Sequence, residues 1–439
     1  MRREPGTAGA RVRAGTVVAW SLYELGATGF AMNILSLHLP LDIAGRVPRG
    51  NEKFSVAFGL SMVVVAATAP VLGSLADRHG KRRFLVPFVL AGVAGTALVA
   101  VPGPVALTLA IFAAANVAFQ SAYVFYNAML PDVSDASTQG RVSGFGVAAG
   151  YLGSLLAMFL ALPFVSGSIR ARLPAVLVPV VDALSVAAVS PATDVWVRRN
   201  AYLPTALLWL GAAVPLLLFA RLPRTPSRAG ASASPLRDVL RTIRALPGTP
   251  SLLWFLVASF LYFDVIHTIQ IQMSTYTRFA VGMSDAGTQI FLLTATAVAV
   301  VGGLLYGFLC QRVTIRTATL VSFANWVVVF VLALAVRDRT LFYGVGFLAG
   351  VGLGGLKVTS RLGLVALVPE ERMTEYFGFF TLAGEAASVL GPLVWAATLS
   401  LFPDRSPAGY HAGLVVLFVV LLGALGAFLK VRFPDASTA

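Results

Sequence analysis

Residues 17–30 read VVAWSLYELGATGF, an apolar run with a carboxylate, Glu24, at its middle and Tyr23 beside it. If the run crosses a membrane, an ionisable group costs at least about 2.5–3.5 kcal/mol at the helix centre, so it faces a cavity or a partner. Such an acid carries a proton, anchors an ammonium group, or pairs structurally with a buried cation. A second acid, Asp264, stands in LYFDVIHTI, with His267 and Thr268 at i+3 and i+4 on the same helical face. A carboxylate one turn from an imidazole can relay protons; a lone histidine in an apolar helix can equally be just hydrogen-bonded. Asn116, Gln120, Tyr123 and Asn127 trace one face at spacings of 4, 3 and 4. They would line a solute path or bond helix to helix. Lys357, Ser360 and Arg361 form another i, i+3, i+4 cluster. A cation there would hold a carboxylate or neutralise Glu24, Asp264 or Glu385, while Arg361, near a helix end, could also snorkel to the surface.

These residues need membrane helices to position them. The chain has 439 residues, 57% hydrophobic and 12% charged, with mean hydropathy +0.82. Soluble domains average about a quarter charged, so this is a polytopic membrane protein. A bilayer-crossing helix needs about 20 apolar residues. Twelve candidates occur, at 15–39, 54–76, 84–102, 104–130, 142–165, 202–221, 251–274, 287–310, 318–336, 340–366, 375–402 and 410–431. All must be helices, because backbone in lipid satisfies its own hydrogen bonds.

The net charge is +14, and 29 of 33 basic residues are arginine. They cluster in short connections, which marks them as orientation charges rather than a nucleic-acid surface. A single cysteine, Cys310, excludes an intrachain disulfide and a cysteine metal cluster; no cofactor or metal is expected. The basic N-terminus MRREPGTAGARVR precedes a long apolar run without a convincing cleavage site, as in a retained first span. The stretch 173–190 is long enough to span but carries Pro174, Pro179 and Asp182. With it left outside, 21 Lys/Arg fall on one side and 11 on the other. That bias predicts cytoplasmic termini and an interfacial external piece at 173–190.

The Pro/Ser/Arg-rich segment 223–250 divides the spans six and six. Shifted by 238, PDVSDASTQGRVSGFGVAAGYLGSL (131–155) meets PEERMTEYFGFFTLAGEAASVLGPL (369–393) with eight identities in 25 positions, Gly153 meeting Gly391. Two similar six-helix bundles predict such a repeat. Bundle boundaries of 1–222 and 251–439 follow, with an external insertion at 166–200.

The short connection GSLADRHGKRR (73–83) crowds Asp77, Arg78, Lys81, Arg82 and Arg83 around Gly80, which permits a left-handed helix end. With Gly73 at its start, it resembles the G-x-L-A-D-R-x-G-R-R signature of the major facilitator superfamily. That resemblance implies a gating role for Gly73, Asp77, Arg78, Gly80, Lys81 and Arg82, through a cytoplasmic charge network joining the bundles in the outward-facing state. The equivalent second-half loop, YGFLCQRVTIR, lacks the acid. FQSAYVFYNAMLPDVSDASTQGRVSGFGVAAGYLGS, YELGAT, LYFDVIHTI and GGLKVTSRLGLVALVPEERMTEYFGFF resemble one branch, the vacuolar amino-acid effluxer-like or unknown major facilitator family. The likeness covers nearly the whole chain, with 166–190 as an insertion. Departures are Glu24 for aspartate, Val265 for glycine, Lys357 for glutamine, and Glu385 where lysine is common. They bear on substrate more than on fold.

The expectation is therefore an all-α integral membrane protein of the major facilitator fold. It is expected in the cell membrane as a monomer that moves a small solute by alternating access, with proton coupling. Acids opposite cations suit a zwitterion such as an amino acid. The competing class is a receptor or lipid-moving protein on the same fold. No H-E-x-x-H, P-loop or nucleophile–base pair occurs at usable spacing, so an enzyme is not expected.

Overall fold

The computed structural model describes residues 14–134, 139–188, 197–219, 248–368, 380, 384 and 389–433. Glu385 and most of the 223–250 linker lie outside these, as do the surroundings of Gly73 and the side chains of Asp77, Arg78 and Lys357. Among the described residues the protein is all helix, and nine helices are long and apolar enough to cross a membrane.

The first half contains α1 (Ala14–Phe30), α2 (Leu39–Arg46), α3 (Gly50–His79), α4 (Lys81–Val99), α5 (Val105–Ala128), α6 (Leu130–Val133), α7 (Gln139–Val165), α8 (Gly167–Arg170), α9 (Val178–Leu184) and α10 (Tyr202–Val214). The second half contains α11 (Pro250–Phe279), α12 (Asp285–Arg312), α13 (Ile315–Ala335), α14 (Arg339–Leu367), α15 (Leu390–Ser400) and α16 (Pro407–Leu429). Helix starts in the second half are written locally. Ser284, Thr314 and Asp338 each turn a side-chain oxygen onto the first free N–H groups of α12, α13 and α14.

Two departures from the expected spans involve π-helical turns next to a proline. The first span runs on to Arg46, and α1 joins α2 through a π-helical stretch, Ala31–His38. Pro40 follows directly. A proline inside a helix removes one ladder bond and crowds the preceding turn, and the wider π turn absorbs that. At the end of α10 a second π-helical stretch, Pro215–Phe219, begins at a proline.

Each half has its own apolar core. In the first, Trp209 is fully buried between Phe30 and Phe119, with ring centroids 5.1 and 5.5 Å away. In the second, Tyr262 stacks on Phe323 at 4.5 Å near fully buried Trp326. Outward-facing positions are also apolar: Phe145, Leu304, Leu341 and Val419 are all exposed. A soluble protein does not carry so continuous an apolar surface; a lipid-embedded one does.

The 173–190 stretch is not a span. Its described residues, 173–188, hold only the seven-residue α9, about 10 Å long at 1.5 Å per residue. Arg170 pairs with Asp182 across it. Buried Asn200 fastens the following residues, accepting from Val186 and Ala187 N–H at 3.0 and 3.1 Å and donating to the Phe164 and Ala187 carbonyls at 3.0 and 2.8 Å. Asn200→Ala is expected to release this segment, since each buried polar group left unpaired costs about 1–3 kcal/mol. Limited proteolysis of the detergent-purified protein should then cut within 173–188 at least about tenfold faster than in the unaltered chain.

Candidate functional site

Glu24 sits two-thirds along α1, almost fully buried, and packs on α7. A Cβ on Gly150 would lie 3.2 Å from the Glu24 Cγ and 3.5 Å from Oε1, and one on Gly153 would enter the Leu25 backbone. The paired glycines thus let α7 approach α1 closely enough to hold the acid between helices. Thr28, one turn on, donates to the Gly150 carbonyl at 2.6 Å and to the Glu24 carbonyl at 2.8 Å. From α5, the Tyr123 hydroxyl donates to Glu24 Oε1 at 2.6 Å, a short charge-assisted bond. The Arg361 guanidinium of α14 lies within electrostatic reach of that same phenol. An acid, a phenol and a cation therefore run from α1 through α5 to α14, crossing from the first half to the second.

Other expected residues are placed differently. Tyr23 is fully buried, stacked on Tyr126 at 4.7 Å in the first-half aromatic core. Neighbours on a helix point about 100° apart, so it cannot share the face of Glu24. The polar stripe of α5 divides by role. Asn116 is fully buried and donates to Ser61 Oγ of α3 at 2.7 Å, which makes it interhelical glue. Gln120, Tyr123 and Asn127 are half-buried, and Tyr123 is the one that meets Glu24. Asp264 is buried on α11 and accepts from the Gly391 N–H of α15 at 2.7 Å. His267, half-buried, stacks on Phe263 at 5.9 Å. Ser360 turns its hydroxyl back to the Leu356 carbonyl at 2.6 Å.

The 73–83 connection has the expected turn: Gly80 has φ +97°, between α3 and α4. Lys81 pairs with Asp132 at 2.8 Å, and Arg82 donates to the Leu217 carbonyl, both partners in the first half. The two halves also meet at the opposite end of the molecule.

There the Asn51 amide donates to Thr275 Oγ1 at 3.1 Å, and the Gln272 amide to Ser55 Oγ at 2.8 Å. Gln289 donates to the Met158 carbonyl at 3.0 Å, and the Arg49 N–H to Asp404 at 2.8 Å. Arg198 pairs with Asp285, which Arg278 also approaches at 3.5 Å. None of these was singled out from sequence. Polar residues at helix ends look like ordinary membrane-edge residues, and the only local signal is the i, i+4 and i, i+3 spacing of Asn51/Ser55 and Gln272/Thr275.

The sequence model of the family described as vacuole effluxer Atg22 like matches residues 53–436. The chain belongs to that family. This Atg22-like chain is 28% identical over 416 residues to an uncharacterized MFS-type transporter, YxiO, of Bacillus subtilis, covering 92% of each. It is 22% identical to autophagy-related protein 22 of Yarrowia lipolytica, across 67% of this chain and 51% of that one. Among solved structures, it resembles a bacterial homolog of the human lysosomal transporter Spinster, in an inward-facing, unoccupied conformation. The TM-score is 0.73 at 14% identity, covering 98% and 100% of the two chains. A mutant of the nucleoside transporter NupG aligns with TM-score 0.72 at 13% identity, covering 95% and 98%. These likenesses establish the fold of this Atg22-like chain as that of major facilitator transporters, in a multi-pass membrane protein.

Proposed function

We propose that the chain is a secondary transporter that moves a small zwitterionic solute, of the amino-acid class, by alternating access with proton coupling. The observation that carries this reading is the line Glu24–Tyr123–Arg361. An α-amino acid offers an ammonium for a carboxylate and a carboxylate for a guanidinium, and guanidinium binds carboxylates in a fork geometry. Tyr123 lies between the two poles, so a ligand there displaces the bond from its hydroxyl to Glu24. The meeting of the halves at the 45–55, 272–289 and 404–410 end supports the alternation, because it leaves the acid–phenol–arginine line away from the closed end. On the arginine-bias topology that closed end is external, and the 223–250 linker joins the two moving bodies on the cytoplasmic side.

Purified protein in proteoliposomes, offered a panel of radiolabelled amino acids with and without a pH gradient, tests the reading. Accumulation of at least one, increased by the gradient, is the expected result. No movement of any amino acid would refute the substrate class. Movement of fluorescent phospholipid in its place would favour the lipid-moving alternative.

A further inference from the structure

We infer that the two buried acids divide the work: Asp264 is a positioning residue that fixes α15 against α11, and Glu24 is the carboxylate that meets proton or solute. The role of Glu24 rests on the transport reading above; the role of Asp264 does not.

The two acids occupy repeated positions. Glu24 and Thr28 recur 240 residues later as Asp264 and Thr268, and in both pairs the threonine hydroxyl donates back to the acid's carbonyl, at 2.8 and 2.7 Å. Each pair packs on a glycine of the partner helix, Glu24 and Thr28 on Gly150 of α7 and Asp264 and Thr268 on Gly391 of α15; the 238-residue repeat matches Gly391 with Gly153, one turn beyond Gly150. The difference lies in what each carboxylate binds. Glu24, one methylene longer, reaches the Tyr123 hydroxyl, a side chain that can rotate away. Asp264 reaches a main-chain N–H, which cannot.

That N–H lies in the first turn of α15. The residue before the helix, Val389, offers no side-chain cap, and Pro392 has no N–H of its own. An N-terminal turn needs acceptors for its N–H groups. Asp264 supplies one from the neighbouring helix, as an N-cap carboxylate does within a chain. A Cβ on Gly391 would stand 3.0 Å from Asp264 Oδ1 and collide with Thr268 Oγ1, so the helices approach here as closely as backbone allows. The opposite face of α15 meets the first half, where Leu393 fills the space over Gly59 of α3. Asp264 thus sets the placement of a helix that touches both halves.

Hydrogen exchange of the full chain in detergent micelles, read on peptides covering 390–400, separates anchoring from proton carriage. Asp264→Leu removes the acceptor and should speed exchange there by about tenfold or more, the loss of one hydrogen bond to a charged group. Asp264→Asn keeps an acceptor oxygen and should stay within about threefold of the unaltered chain. Glu24→Gln should leave these peptides unchanged. Equal acceleration in Asp264→Asn and Asp264→Leu, or none in either, overturns the anchor. If Asp264→Leu does not fold, Asp264→Asn decides through the pH profile of amino-acid flux. A profile like that of the unaltered chain supports the assignment, and a lost pH response overturns it. If no amino acid moves in any protein, the transport reading fails while the exchange data still judge Asp264.

Discussion

Replacing Glu24 by glutamine is expected to lower gradient-driven amino-acid accumulation at least about tenfold, and by more than it slows solute exchange without a gradient. Glutamine keeps the volume and still accepts from Tyr123, so the packing of α1 on α7 survives. It cannot take up or release a proton, and its bond to the phenol loses charge assistance. Hydrogen bonds to charged groups are worth about 1.5–3 kcal/mol, and 1.4 kcal/mol is tenfold. The measurement compares accumulation in proteoliposomes with and without an imposed pH gradient, beside counterflow in symmetric buffer. If Glu24→Gln still concentrates solute when the gradient is applied, the acid is not the coupling site.

The second large effect is structural. Gly153→Leu is expected to lower the apparent melting temperature by about 5 °C or more, or to prevent recovery of monodisperse protein. A side chain there meets the Leu25 backbone, with its Cβ 2.6 Å from the carbonyl carbon, and backbone cannot rotate out of the way as a side chain can. Gly354→Leu should behave alike, because its Cβ would fall 2.5 Å from the Gly302 carbonyl carbon between α12 and α14. Gly426→Ala is the control. Nothing lies within 4 Å of a Cβ there, so the change should be neutral or stabilising by about 1 kcal/mol, the helix-propensity difference. Thermal unfolding followed by light scattering reads all three.

The sequence foretold the acids, the glycines and the phenol better than their partners. Glu24 was conspicuous because charge in an apolar run is costly, and Tyr123 because it sits in a spaced polar stripe. Gly153 and Gly391 were visible through the repeat, and Gly80 through the turn it permits. Which side of its helix each group faces was less legible. Asn116 and Tyr123 share a stripe, yet one bonds α3 and the other α1, because α5 lies between two neighbours. Tyr23 adjoins Glu24 in sequence and points elsewhere by helical geometry. The bond from Asp264 to Gly391 joins a side chain to a main-chain N–H, and main-chain donors leave no trace in residue type. The 173–190 stretch, by contrast, was legible: its two prolines and one aspartate argue against a span, and α9 is too short to be one.

The meeting of the halves at the 45–55 and 272–289 end has a consequence in terms of hydration. Asn51, Gln272 and Gln289 each donate across that seam. Every one of these bonds, like the Arg198–Asp285 pair beside them, is a polar contact that water can replace once the surfaces are wet. A seam held by such contacts exchanges its partners for water at little net cost, whereas an apolar seam would not.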